Sequence, residues 1–227
     1  MELQEISDRI DIKLNSFEVR LSVDEYEKSI YLTRAQKAIY KEMVNIFERT
    51  EIIDTYLYPF LKEFITNVDV RKILKPKMVN NSVNIVVPSD IYMIVWEKAI
   101  LISDDPKYNL REVKVLKTRI AELPYKVDNP FRTPNNKEVL RVITGNVTDL
   151  DVWELVLPEN TELKQYSCKY LKDIKPIILE NLPDGLSIEG ESNALNTEFI
   201  DEVLENIIDL AVLSIIKDKT VVQQQNV

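Results

Sequence analysis

The chain has no histidine, one cysteine and three glycines in 227 residues, and each shortage excludes a class of chemistry. Without His, no side chain has an ordinary pKa in the physiological range, which removes Ser-His-Asp triads, Cys-His pairs and His-bearing metal centres. Cys168 alone forms neither an internal disulfide nor a thiolate-rich zinc site, a pattern that fits folding in a reducing cytosol. It reads as a small apolar core residue in a strand and not as a reactive thiol. Gly145, Gly185 and Gly190 are too few for a phosphate-cradling loop, and Glu191 follows Gly190 where such a loop needs Lys. No nucleotide, metal or other cofactor is expected, and no catalytic residue is assigned. No apolar run approaches the ~20 residues that span a bilayer. Met1 to Ile10 alternates charged with apolar residues, unlike the apolar core of a signal peptide, so the expectation is a soluble, non-secreted protein with no membrane partner.

What is present is a long, acidic chain. Its 29 basic and 38 acidic residues leave a net charge of −9, which argues against gripping phosphate backbones. Ordinary solubility explains the charge, and an acidic surface also lets DNA pass without adhering. At this length about 70% of the unfolded surface can be buried, so a full core forms without disulfides or metals.

Periodicity divides the chain. Leu3, Ile6, Ile10, Leu14 and Phe17 recur at helical steps. Ser22-Val23-Asp24-Glu25 has capping-box form, and Tyr31, Ala35, Ala38, Ile39, Met43, Ile46 and Phe47 then draw one apolar stripe to about Arg49. A helical hairpin with its turn near Val19 to Leu21 is expected, the second helix running ~26 residues or ~39 Å. Ile53, Leu57, Phe60, Leu61 and Phe64 continue the helical period, with Pro59 breaking or restarting it.

From about Lys75 the period changes. Val83, Ile85 and Val87 alternate with polar residues, and Ile91 to Ile102 is rich in β-branched and aromatic residues. Val113 with Val115, Val139 to Ile143, Val152 to Leu157 and Tyr166 to Leu171 are further strands, separated by turns such as Asp128-Asn129-Pro130 and Pro134-Asn135-Asn136. Helical pattern returns with Asn196 as N-cap and a stripe of Phe199, Val203, Ile207, Leu210, Ala211 and Ile215. The polar tail from Gln223 is expected to fray. The fold class is α+β: an N-terminal helical hairpin and a C-terminal helix packed as a bundle, with a mainly antiparallel β-rich insertion. The parts are residues 1–74, 75–190 and 191–227, expected to make one structural unit.

Several stretches resemble a structural protein family of the crAss-like bacteriophages. Glu25-Tyr26-Glu27-Lys28-Ser29-Ile30-Tyr31-Leu32-Thr33-Arg34-Ala35-Gln36 is similar to that family's opening helix, D-Y-E-K-S-hydrophobic-aromatic-L-T-K-A-Q. In order along the chain, Val87-Pro88-Ser89-Asp90 resembles its L-P-x-D turn and Asn129-Pro130-Phe131-Arg132-Thr133-Pro134 its N-P-F-R-x-P segment. Pro176-Ile177-Ile178-Leu179 and Leu186-Ser187-Ile188-Glu189-Gly190 resemble P-I-I-L and L-x-I-E-G, and Leu195-Asn196 with the following helix matches the family's ending. Each motif is short and carries no chemistry; their collinearity carries the resemblance. Val23-Asp24 shifts the acidic start, Arg34 stands where Lys is usual, and Asn193 or Ala194 where the family has Cys. The resemblance implies a subunit of a homo-oligomeric, twelvefold ring in the head-to-tail connector or tail barrel of a virion. Its partners would be other copies of itself, a portal protein and other ring proteins. DNA would pass through the lumen without sequence-specific binding, and assembly would occur in the bacterial host cytoplasm.

The candidate subunit-interface residues are Arg34, Pro130, Phe131 and Arg132. Two prolines fix the backbone around an exposed Phe131-Arg132 pair suited to a neighbour's pocket, although a rigid loop packed on its own domain fits equally. Arg34 lies on the polar side of the long helix, where pairing with another subunit's carboxylate competes with simple solvation. Trp96 and Trp153 read as core residues. Two readings of other classes stay open. Asp104-Asp105 or Asp149 with Asp151 could serve a Mg²⁺-dependent hydrolase, though Asp beside a turn commonly caps the backbone. Tyr56, Tyr58 and Phe60 could serve an acidic adaptor that binds a host protein.

Overall fold

The computed structural model describes residues 1–17, 23–67, 78–79, 81–106, 109–147 and 150–225. The chain is α+β, with helices at both ends and a seven-stranded sheet between them. It divides into one unit of residues 1–60 with 174–227 and a second of Leu61–Asp173.

In the first unit, α1 (Leu3–Ser16) buries Ile6, Ile10 and Leu14, as the apolar period predicts, while Phe17 is half-exposed. The expected turn at Val19 to Leu21 and the capping role of Ser22 lie outside the described residues. Helix α2 (Glu25–Asn45) is capped by Asp24, whose carboxylate accepts the Glu27 N–H at 2.7 Å; this satisfies an orphan amide and places negative charge at the positive helix end.

The buried face of α2 is rotated from the predicted stripe. It consists of Lys28, Ser29, Leu32, Thr33, Ala35, Gln36, Tyr40, Met43 and Val44, whereas Ala38 is exposed and Tyr31 and Ile39 are half-buried. The polar members face an extended segment at residues 175–179. Thr33 Oγ1 donates to the Ile177 carbonyl (3.2 Å) and accepts the Ile177 N–H (3.1 Å). Ser29 Oγ accepts the Leu179 N–H at 3.0 Å, and Gln36 Nε2 donates to the Lys175 carbonyl at 2.7 Å. Side chains one and two turns apart thus act as a ladder for a strand-like segment that, among the described residues, has no strand on that side, as buried backbone polar groups require. Its other side bridges Leu195 through the paired Ile178 and Leu195 amides and carbonyls (2.9 and 2.8 Å).

Helix α3 (Glu51–Leu57) passes into a 3₁₀ turn at Tyr58–Phe60, where Pro59 ends the helix as expected. Tyr40, Phe60 and Phe199 then stack, with centroids 4.7 to 6.2 Å apart. The last helix, α5 (Asp201–Gln225), starts later than Asn196. Asn196 is not its cap: the side-chain amide donates to the Met1 carbonyl at 2.9 Å and the side-chain oxygen accepts the Thr197 N–H at 2.8 Å. Helix α5 pairs Asp209 with Lys13 of α1, and Lys219 with Glu27 of α2.

The second unit is a sheet ordered β1-β7-β3-β4-β5-β6-β2. Its strands are β1 (Leu61–Asn67), β2 (Ser82–Val87), β3 (Ile91–Ser103), β4 (Arg111–Thr118), β5 (Glu138–Val147), β6 (Leu150–Val156) and β7 (Thr161–Lys172). All pairings are antiparallel except β4 with β5. Residues 61–67 correct the expected helical continuation: they form an edge strand on β7, with Phe64 opposite Cys168. One face of the sheet buries Ile85, Leu101, Val113, Leu155, Tyr166 and Cys168 among others. The other buries Leu140, Val142 and Val156 beneath Leu123, which belongs to α4 (Leu123–Val127).

Candidate docking surface

The parallel β4–β5 pair dictates where the Asn129 to Pro134 segment sits. A parallel neighbour is reached only by a crossover of a dozen or more residues, and residues 119–137 supply it, carrying a 3₁₀ turn, α4 and then the proline-bounded loop. The loop is locked from within. Asn129 Oδ1 accepts the Phe131 N–H at 2.9 Å, and the Asn129 carbonyl accepts the amides of Arg132 (2.9 Å) and Thr133 (3.0 Å). Asn135 and Glu138 exchange both backbone bonds at the loop's exit. An Asx-type turn of this kind holds its residues without tertiary contacts. Held this way, Phe131 is 96% exposed, and Pro130 and Arg132 are exposed beside it. Phe131 and Arg132 border a shallow depression of about 210 Å³ that also involves Leu116, Lys126 and Leu140. A large aromatic fixed in solvent by a rigid loop has the properties of an interface anchor.

Arg34 projects from α2 as an exposed residue with its guanidinium 5.9 Å from the Tyr31 ring centroid. It belongs to a different unit from Pro130, Phe131 and Arg132.

The other stretches that carry the resemblance place several of their side chains inside the fold. Lys28, Ser29, Thr33 and Gln36 of the opening-helix pattern are buried, three of them bonded to the Pro176–Leu179 region. Lys28 Nζ meets Ser7 Oγ (2.9 Å), Asp11 (2.8 Å) and Glu25 (2.9 Å). Burial works against its charge, but the Asp11 and Glu25 carboxylates outweigh that and raise its pKa. In the Val87–Asp90 turn, Asp90 accepts the Tyr170 hydroxyl at 3.1 Å. Ile188-Glu189-Gly190-Glu191 is a two-residue hairpin turn with both central φ angles positive, 56° and 85°, closed by the Ile188 and Glu191 backbone bonds. That geometry favours Gly. Among these stretches Leu186 is 41% exposed, while Phe131 of the Asn129–Pro134 stretch is the large apolar side chain presented most fully to solvent, at 96%.

Sequence reasoning missed two buried polar centres. In the sheet, Arg141 makes a bidentate pair with Glu97 at 2.8 and 3.1 Å, lies 4.5 Å from the Trp153 ring centroid, and shares Glu97 with the Tyr166 hydroxyl at 2.9 Å. Burial first, and the Glu97 charge second, push the Tyr166 hydroxyl far above its usual range. Glu154, fully buried, accepts the amides of Met78 (2.9 Å) and Val79 (3.2 Å) and the Ser82 hydroxyl, tying the entry to β2. The one usable signal was a charged residue in an otherwise apolar strand run, which implies a buried partner. Cys168 is buried as expected, and its thiol is pushed up to about 11, chiefly by burial. Trp153 is core, but Trp96 is 42% exposed, contrary to the core reading.

Asp104 and Asp105 are exposed beyond the end of β3, where the Asp105 amide donates to Ser103 Oγ at 3.3 Å. Asp149 lies outside the described residues, and among those described no three His, Cys, Asp or Glu side chains converge on a metal-sized site. Phe60, offered with Tyr56 and Tyr58 as an adaptor surface, is buried in the aromatic stack. Among the described residues no helix is long and apolar enough to cross a membrane.

Fold and surface together give an α+β protein with an exposed, proline-bounded loop. The comparison with known families is specific: residues 1–226 match the phage tail ring protein 3/4 family, and the chain belongs to it. Ring protein 3 of Bacteroides phage crAss001 is 33% identical, covering 94% of this chain and 96% of that protein. Ring protein 4/5 of the same phage is 23% identical over 93% and 92%. The resemblance read from the motifs is thus the correct family, and a ring protein of a crAss-like phage is the class.

Proposed function

We propose that the chain is the repeating subunit of a closed, twelvefold ring in the head-to-tail connector or tail barrel of the virion. The ring stacks on the portal or on another ring and forms part of the DNA conduit. The family match along residues 1–226 carries this reading. Each copy buries one surface against a different surface of its neighbour, and a closing rotation turns those contacts into a ring. No bond is made or broken, and no cofactor is used. The helices from both ends form the bundle of each subunit, with the sheet as its insertion. Phe131, flanked by Pro130 and Arg132, anchors one contact, and Arg34 pairs with a carboxylate of another copy. A surface of net charge −9 lets DNA slide past without sequence-specific binding. Assembly takes place in the host cytoplasm before incorporation into the virion.

Light scattering and negative-stain imaging of the purified chain, alone and with its portal, test the reading. Rings of uniform mass are expected. A chain that stays monomeric with every partner present overturns it.

A further inference from the structure

Six consecutive apolar residues, Ile91 to Trp96, open β3, and none of them is buried. A continuous apolar run belongs to a strand covered on both faces, whereas a half-exposed strand alternates apolar with polar residues. The cause of the exposure is a change of partner in the sheet. β3 pairs with β7 from Ile91 to Ser103, but with β4 only over Lys98–Leu101. At Lys114, β4 leaves β3 and continues parallel to β5 through Thr118. Met93–Glu97 and Val115–Thr118 therefore diverge as two prongs, and among the described residues no strand pairs with the edges they turn towards each other. Register shifts at Ile91/Met93 and Ile94/Trp96 bend the first prong further, as bulges do.

Between the prongs is a cleft of about 620 Å³ with Arg141, Ile143 and Trp153 among its lining residues. Trp96, Leu116 and Ile143 expose 42%, 39% and 45% of their surface to it and to solvent. The bidentate Arg141–Glu97 pair ties β5 to β3 across the fork. That pair is neutral as a unit, and Lys98 is paired with Glu112. Lys114 and Lys117 are exposed on the second prong, so the remaining charge at the mouth is positive.

We propose that this fork seats an extended, carboxylate-bearing segment of a second copy of this chain. The segment lies along the edge of Met93–Glu97 as an added strand and sets apolar side chains against Trp96, Leu116 and Ile143. Unpaired strand edges recruit strands from other chains, and an apolar run left only partly covered, with Ile91 and Ile94 packed on the core and Tyr92 and Trp96 exposed, marks an association surface. The partner's charge follows from complementarity: a lysine-bearing mouth meets a chain with 38 acidic and 29 basic residues. The inference rests on the ring reading above, and adds to it where one face of the subunit contact lies.

The test uses the full chain with Lys114→Glu/Lys117→Glu and, separately, Trp96→Ala, both at exposed positions, with thermal melting to confirm folding. Sedimentation velocity across a concentration series reads assembly. The charge reversal raises the concentration for half-assembly roughly tenfold or more, and Trp96→Ala raises it in the same direction. A photo-crosslinking p-benzoylphenylalanine at position 96 captures an acidic segment of another copy. If the wild type assembles and folded variants assemble as well as it does, the fork inference falls and the ring reading stands. Crosslinks only to the portal or an unrelated protein overturn the second-copy assignment. A wild type that stays monomeric with its portal present overturns the ring reading and the inference with it.

Discussion

Thr33 shows how much a single side chain carries in the helical unit. Its hydroxyl serves both the N–H and the carbonyl of Ile177, so Thr33→Val keeps the shape and orphans two buried backbone groups. The expected loss is about 2–4 kcal/mol, with Thr33→Ser recovering most of it, measured by urea denaturation. Titrating groups give a second expectation at this scale. Burial and the Asp90 carboxylate raise the Tyr170 hydroxyl from 10.0 to about 12. Cys168 rises from 9.0 to about 11, while Tyr166 and Lys28 are also raised. A group whose folded pKa exceeds its unfolded value binds more protons in the folded state, so its stabilisation is complete below the unfolded pKa and is lost as pH rises towards the folded one. All four shifts have this sign. The melting temperature should therefore stay level from these groups up to about pH 9 and fall between about pH 9 and 12. Tyr170→Phe should make the fall above pH 10 shallower; an unchanged slope would refute the assignment.

At the scale of elements, the Arg141–Glu97 pair crosses from β5 to β3, strands that β4 separates in sheet order. Removing one buried partner strands the other charge, so Arg141→Ala should cost about 3–5 kcal/mol, seen as a lower denaturation midpoint. Neither the pair nor the fork was legible in advance, because strand order is not written in local pattern. The strands after Ser82 were legible, since Val83-Ile85-Val87 and the β-branched runs that follow have the period of a sheet. β1 was not. Leu57, Phe60, Leu61 and Phe64 repeat at helical steps, and what makes residues 61–67 a strand is the partner β7, far along the sequence. The α2 face was misread for a related reason. Ser29, Thr33 and Gln36 look like a solvent face until the segment at residues 175–179 comes to need their hydrogen bonds. Phe131 and Arg132 were legible as a candidate surface because two prolines and an Asx turn are local devices.

For the whole molecule, the residues proposed for association are separate from those that hold the fold. Phe131 supports nothing in its own subunit, so Phe131→Ala should leave the melting temperature within about 1–2 °C of wild type, consistent with the small effect of substitutions away from packed features, while weakening assembly on a partner. The fork leads to a sharper expectation. In a heterologous ring each copy uses two different faces, and closure requires both on every copy. A subunit with Lys114→Glu/Lys117→Glu keeps the face that enters a neighbour's fork but accepts the next copy at least about tenfold more weakly. Mixed at a minority fraction into wild-type chains, it should join one end of a growing arc and stop it. Mass photometry would then show incomplete arcs replacing closed rings out of proportion to the fraction added. A symmetric, face-to-self contact predicts instead a loss that only matches the dilution, so the shape of that dose response separates the two modes of assembly.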